Sequence, residues 1–139
     1  MKKLFSLLGI TILSVTVLNI VVSCNNDNKS KEIEKGIYSI TSIESPAKII
    51  AKNPLKVDLT EVKNALKPQV FKELTKIDNA LTENDFDIGV WIFVNDKIIT
   101  QPYDLTTSKF AKIRIIGYRK INGILTNLIP VNLPIATTS

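Results

Sequence analysis

The chain contains no histidine. That removes the side chain whose ordinary pKa lies near neutrality, and with it the usual general base, the Ser-His-Asp triad and the commonest metal ligand. Only one cysteine is present, so no disulfide can form within the chain and a cysteine-rich metal site is out of reach. The five glycines are scattered and cannot be assembled into a phosphate-cradling loop. Arginine is nearly missing as well: Arg114 and Arg119 are the only two among 18 Lys and Arg residues. Lysine, isoleucine and asparagine are all encoded by A/T-rich codons, so the +5 formal charge reflects the genome more than a partner. Charges of both signs alternate along the chain instead of forming the stripe of a nucleic-acid binder, and no nucleic acid is expected.

Carboxylates do not fill the gap. Asp85, Asp87, Asp96 and Asp104 lie in or beside turns, where aspartate is common for local reasons. A glycosidase needs two carboxylates facing across a cleft, and no second catalytic cue accompanies any of the four. Asp85 and Asp87 lack the twelve-residue loop with a closing glutamate that a calcium hand requires. No enzyme activity, cofactor or metal is expected.

What is present is concentrated at the start. Lys2 and Lys3 precede an almost uninterrupted apolar run from Leu4 to Val22, which ends Val21-Val22-Ser23-Cys24 and gives way at once to Asn25-Asn26-Asp27-Asn28. A positive start, an apolar middle, a small residue and then cysteine form the pattern of a bacterial lipoprotein signal peptide. Residues 1–23 are expected to be removed between Ser23 and Cys24, after the Cys24 thiolate takes a diacylglycerol. Membrane lipid, held through diacylglyceryl Cys24, is then the one partner whose chemistry the sequence names. Each buried methylene contributes about 0.8 kcal/mol, and two acyl chains such as palmitate hold firmly where one does not. An uncleaved membrane span is the competing reading, but Ser6, Gly9, Thr11, Ser14, Thr16 and Asn19 dilute the run. The expected location is the cell membrane, lipid-anchored and facing outward. Removing Lys2 and Lys3 lowers the side-chain charge to +3.

Residues 24–35 are polar and free of aromatics, and a lipidated, disordered tether is expected there. Residues 36–139 suffice for one small domain. A strand is expected over 36–43, with a short continuation at 48–51. Leu59, Val62, Leu66, Val70, Leu74, Ile77 and Leu81, spaced by threes and fours, predict a helix whose start is marked by an Asp58/Glu61 capping box. Pro68 lacks an amide hydrogen and predicts a kink, or a break into a helix pair, near Leu66-Lys67. From Phe86 to Val94 the period becomes two, and Asn95-Asp96 turns the chain into a second strand at 97–100. Further strands are expected at 110–119 and 124–133, joined by Asn122-Gly123, and Pro130 confines the last to an edge. The fold class is α+β, a kinked helix or helix pair packed on a small, mainly antiparallel sheet, preceded by signal peptide and tether.

Asn53-Pro54-Leu55-Lys56-Val57, Glu61-Val62-Lys63-Asn64-Ala65-Leu66, Asp85-Phe86 and Val131-Asn132-Leu133-Pro134 together resemble a single repeat unit of the spiralin family. These are surface lipoproteins of wall-less mollicutes, the spiroplasmas. The resemblance runs from about Ile40 to Pro134 and implies a non-catalytic coat protein, lipid-anchored and outward-facing, with contact to host or vector glycoproteins as an adhesin-like role.

The residues themselves offer one constellation for such contact. Trp91 and Phe93 share a strand face, and Tyr118 is expected on a neighbouring strand as a third member of an aromatic ligand face. The competing reading is packing, since both faces of 86–94 are apolar and large aromatics are usually well buried. A different function class also stands: an accessory or substrate-capturing lipoprotein of a membrane transport complex, although the two-lobed cleft usual for such proteins needs a longer chain.

Overall fold

The computed structural model describes residues 27–120 and 125–139. The chain divides into two compact units, Met1–Lys35 and Gly36–Ser139. The signal peptide, Ser23, Cys24 and the Asn122-Gly123 turn lie outside the described residues. Of the segment expected as a tether, the described residues 27–35 are helical and mostly exposed; the helix (α1) covers 27–38. Asp27 placed four residues before Lys31 is a spacing that favours this state. The strand expected over 36–43 is therefore not formed. Ser39 closes the helix, donating from its amide (3.1 Å) and its hydroxyl (2.6 Å) to the Gly36 carbonyl. Ile37, Ile43, Pro46 and Ile49 are then buried without any period of two.

The second helix (α2) spans Leu59–Thr75. Its capping box is complete: the Glu61 amide donates to Asp58 Oδ1 (2.8 Å) and the Asp58 amide to Glu61 Oε2 (2.9 Å). Two more polar groups meet at this end, where the Lys52 amide donates to Glu61 Oε1 and the Leu59 amide to Gln101 Oε1. Val62, Leu66, Val70 and Leu74, each four residues from the next, are fully buried. The break into a helix pair does not occur: Pro68 sits inside one continuous helix. Interior proline costs about 3 kcal/mol, and burying a single aliphatic side chain contributes about 1.5–3 kcal/mol, so four anchors on one stripe outweigh it. Pro68 itself is exposed on the opposite side.

Four strands build the main sheet: β2 (Asp87–Val94), β3 (Lys97–Ile99), β4 (Lys109–Ile116) and β5 (Ile129–Leu133). Every pairing is antiparallel and the order is β3-β2-β4-β5. Asn95 (φ 50°) and Asp96 (φ 60°) form the tight β2–β3 turn, both in the left-handed region that a primed hairpin turn requires. The sheet is not a simple meander, because β4 crosses to the far side of β2. The crossing loop is tied down by reciprocal Val57/Tyr103 backbone bonds (2.9 and 2.8 Å) and by the Leu105 amide on the Pro54 carbonyl (2.9 Å). β4 and β2 are both eight residues long and share seven paired positions, whereas β3 supplies three. β5 is an edge strand, as Pro130 predicts. It starts at Ile129, later than expected, and the Ile115 amide donates instead to the buried Thr126 hydroxyl (3.0 Å).

A separate two-stranded parallel sheet joins β1 (Ile49–Ile50) to β6 (Ala136–Thr137). α2 packs against β1 and β2. The core lies on one face of the main sheet: Ile88 and Ile92 of β2, Ala111, Ile113 and Ile115 of β4, and Leu133 of β5 have no exposed surface.

Candidate functional site

Because side chains alternate along a strand, the residues between those core positions form the opposite, outer face. On β2 these are Asp87, Gly89, Trp91 and Phe93; on β4, Phe110, Lys112, Arg114 and Ile116. Register fixes the neighbours: Trp91 lies opposite Lys112, Gly89 opposite Arg114, and Phe93 opposite Phe110 on one side and Ile98 on the other. Phe93 and Phe110 are 6.2 Å apart between ring centroids at a tilt of 54°, the offset arrangement that aromatic pairs prefer.

Glycine at position 89 gives the indole its place. A Cβ there would stand 2.7 Å from Trp91 Cη2, so the absent side chain is what lets the ring lie along the strand. Two cations complete the surface. Lys112 Nζ sits 5.1 Å from the Phe93 centroid and 5.9 Å from that of Phe110, and the Arg114 guanidinium carbon is 6.0 Å from the Trp91 ring. Such contacts hold a cation over a π face without neutralising it. Arg114 Nε is buried and has no hydrogen-bond partner among the described residues. The one carboxylate that the described residues place on this face, Asp87, lies at its far end opposite Ile116 and is paired with Lys63 at 3.3 Å.

Trp91 and Phe93 are thus brought together on one half-exposed face, joined by Phe110 at 40% and Ile98 at 58% exposure. A second layer burying that face is not found among the described residues. Tyr118 does not belong to it. Its ring is buried at 1% exposure, because Gly117 (φ 62°) ends β4 and the chain turns inward to a short 3-10 segment, Tyr118–Lys120. There the Tyr118 hydroxyl donates to Asp78 Oδ2 (2.5 Å) just beyond α2, and Arg119 Nε reaches the same oxygen at 3.2 Å. Burial first, and the Asp78 carboxylate second, hold the Tyr118 hydroxyl well above the ordinary phenol range, so it stays a neutral donor. This buried cluster spans 40 residues of sequence, and nothing local announces it.

The turn carboxylates have local partners. Asp85 accepts from the Thr82 amide (2.7 Å) and hydroxyl (2.8 Å), which lower its pKa; Asp104 accepts likewise from the Thr106 hydroxyl (2.6 Å) and amide (2.9 Å), with the same result. A groove of about 280 Å³ between β1 and α2 is lined by Lys48, Ile50, Glu61, Asn64 and Ala65. Its carboxylate, Glu61, is already committed to the helix cap. Among the described residues no cluster of metal-ligating side chains occurs, and no helix is long and apolar enough to cross a membrane.

Over 91 residues the chain is 31% identical to spiralin of Spiroplasma citri. The match takes in 66% of this chain and 36% of spiralin, so the chain spans about a third of that relative's length. The protein is spiralin-like, in agreement with the resemblance carried by its short motifs. No family model and no solved structure matches the chain.

Proposed function

We propose that this spiralin-like protein is a non-catalytic surface lipoprotein, anchored outside the cell through diacylglyceryl Cys24, whose outer sheet face contacts host glycoconjugates. The observation that carries the reading is the arrangement of half-buried Trp91 and Phe93 and exposed Phe110 around half-buried Lys112 and Arg114 on one sheet face. Flat aromatic faces stack on sugar rings and anchor interfaces, and flanking cations fix orientation. The anchor rests on the order of Lys2, Lys3, the apolar run, Ser23 and Cys24.

Detergent phase partitioning tests the anchor. The protein is expected in the detergent phase as a cleaved, acylated chain, whereas Cys24→Ser loses acylation and cleavage. A Cys24→Ser chain still processed as a lipoprotein would refute it. For the face, cells carrying Trp91→Ala are expected to adhere less to host surfaces, and unchanged adherence would remove the adhesin role.

A further inference from the structure

Resting on that reading, we propose that the ligand of the outer face is an acidic carbohydrate, bearing carboxylate or sulfate groups, with Trp91 and Phe93 stacking on its rings and Lys112 and Arg114 binding its charge. Three observations converge. The Trp91 indole lies along its strand over Gly89, and residues two apart on a strand stand about 7 Å from each other, which sets Trp91 and Phe93 in a row. Both cations lie within the aromatic group and not at its rim, Lys112 between Phe93 and Phe110 and Arg114 beside Trp91. Among the described residues neither makes a salt bridge, and the one carboxylate they place on the face is held by Lys63 away from the aromatics.

Arg114 Nε is itself enclosed, which leaves the two terminal amino groups of the guanidinium to meet a ligand. A guanidinium offers donors in a fixed fork that matches carboxylate and sulfate oxygens, and charged hydrogen bonds of this kind are about twice as strong as neutral ones. A neutral sugar would satisfy the stacking and leave both cations uncompensated. A bilayer would satisfy the cations, but it needs apolar side chains that project, and here the largest ring is folded down along its own strand.

The full-length protein in detergent provides its own reporter, because Trp91 is the single tryptophan. Trp91 fluorescence is titrated with hexagalacturonate, with a sulfated chondroitin hexasaccharide, with neutral cellohexaose and with glycerol phosphate, the soluble headgroup of an anionic lipid. A saturable response to the acidic sugars is expected, weaker by at least about tenfold for cellohexaose and for glycerol phosphate, and fading as salt rises. Lys112→Gln and Arg114→Gln should each weaken acidic-sugar binding by about tenfold, with Arg114→Lys intermediate. Circular dichroism identifies any variant that has lost its fold, in which case the other two decide. Equal binding of cellohexaose would overturn the acidic class and leave the glycoconjugate reading standing. Glycerol phosphate matching the acidic sugars would overturn it in favour of a headgroup-binding face. No response to any sugar would overturn both.

Discussion

The two faces of the main sheet share the same strands, yet they differ in almost every physical respect. Inward, β2, β4 and β5 present Ile, Val, Leu and Ala, with no surface left for water at Ile88, Ile92, Ile113, Ile115 and Leu133. Outward, the same backbone presents Trp91, Phe93, Phe110, Lys112 and Arg114, half-exposed and held by π contacts. Both faces of β2 are apolar, so apolarity alone does not distinguish the sealed face from the half-exposed one. The residue type does: β-branched aliphatics interdigitate to interior density, while aromatics interleaved with long cations stay effective at a wet surface.

The largest expected effect tests the inner face. Ile113→Ala should cost about 2–5 kcal/mol in urea unfolding, because the site is sealed and a cavity remains, while Phe110→Ala, three residues away on the other face, should cost less than about 1 kcal/mol. Equal costs would break the comparison. Next comes Tyr118, which the comparison assigns to the buried layer. Tyr118→Phe should lose about 1–3 kcal/mol, as Asp78 loses a buried donor, with no change in ligand binding.

That assignment has a pH consequence. A phenol whose folded pKa is raised above its unfolded value of 10.0 contributes stability that is complete below that value and is lost as pH rises past it. Alkaline destabilisation above about pH 10 should therefore be shallower in Tyr118→Phe than in the unaltered protein, and an unchanged alkaline limb would argue against the buried hydrogen bond. A smaller effect belongs to the turn entering β2. Asp85, its pKa lowered by Thr82, contributes stability present above its unfolded pKa and lost as pH falls through the folded one, so Asp85→Asn should flatten acid unfolding below about pH 4.

Smallest in stability is Gly89→Ala. The clash is with the far end of the Trp91 ring, which can swing away, so unfolding should change by less than about 1 kcal/mol while Trp91 emission shifts red as the indole leaves the sheet. An unchanged spectrum would show that Gly89 does not seat the ring.

Much of this was legible in advance, for identifiable reasons. α2 and its cap could be read because period and capping box are local, and the Asn95-Asp96 turn and the edge position of Pro130 follow from backbone chemistry. Pro68 did not break α2 because four buried anchors outweighed it, a tertiary effect, whereas 36–43 did not become a strand because a helix runs into it from 27 to 38. Trp91 and Phe93 could be placed on one face from their spacing, but Lys112, Arg114 and Phe110 joined them only through β4's register with β2. Tyr118 followed strand alternation on paper, yet Gly117 turned it inward toward a carboxylate 40 residues away.

The sequence by itself determined the chemical limits: no imidazole, a single thiol at the end of an apolar run, and one strand with aromatics on alternate positions. These are properties of residue type and near-neighbour spacing, which survive without any knowledge of packing. Tertiary structure alone decided which apolar face would be covered, because coverage depends on what distant segments bring to it. α2 came to one side of the sheet and sealed it. On the other, strand pairing set two cations among three aromatic rings.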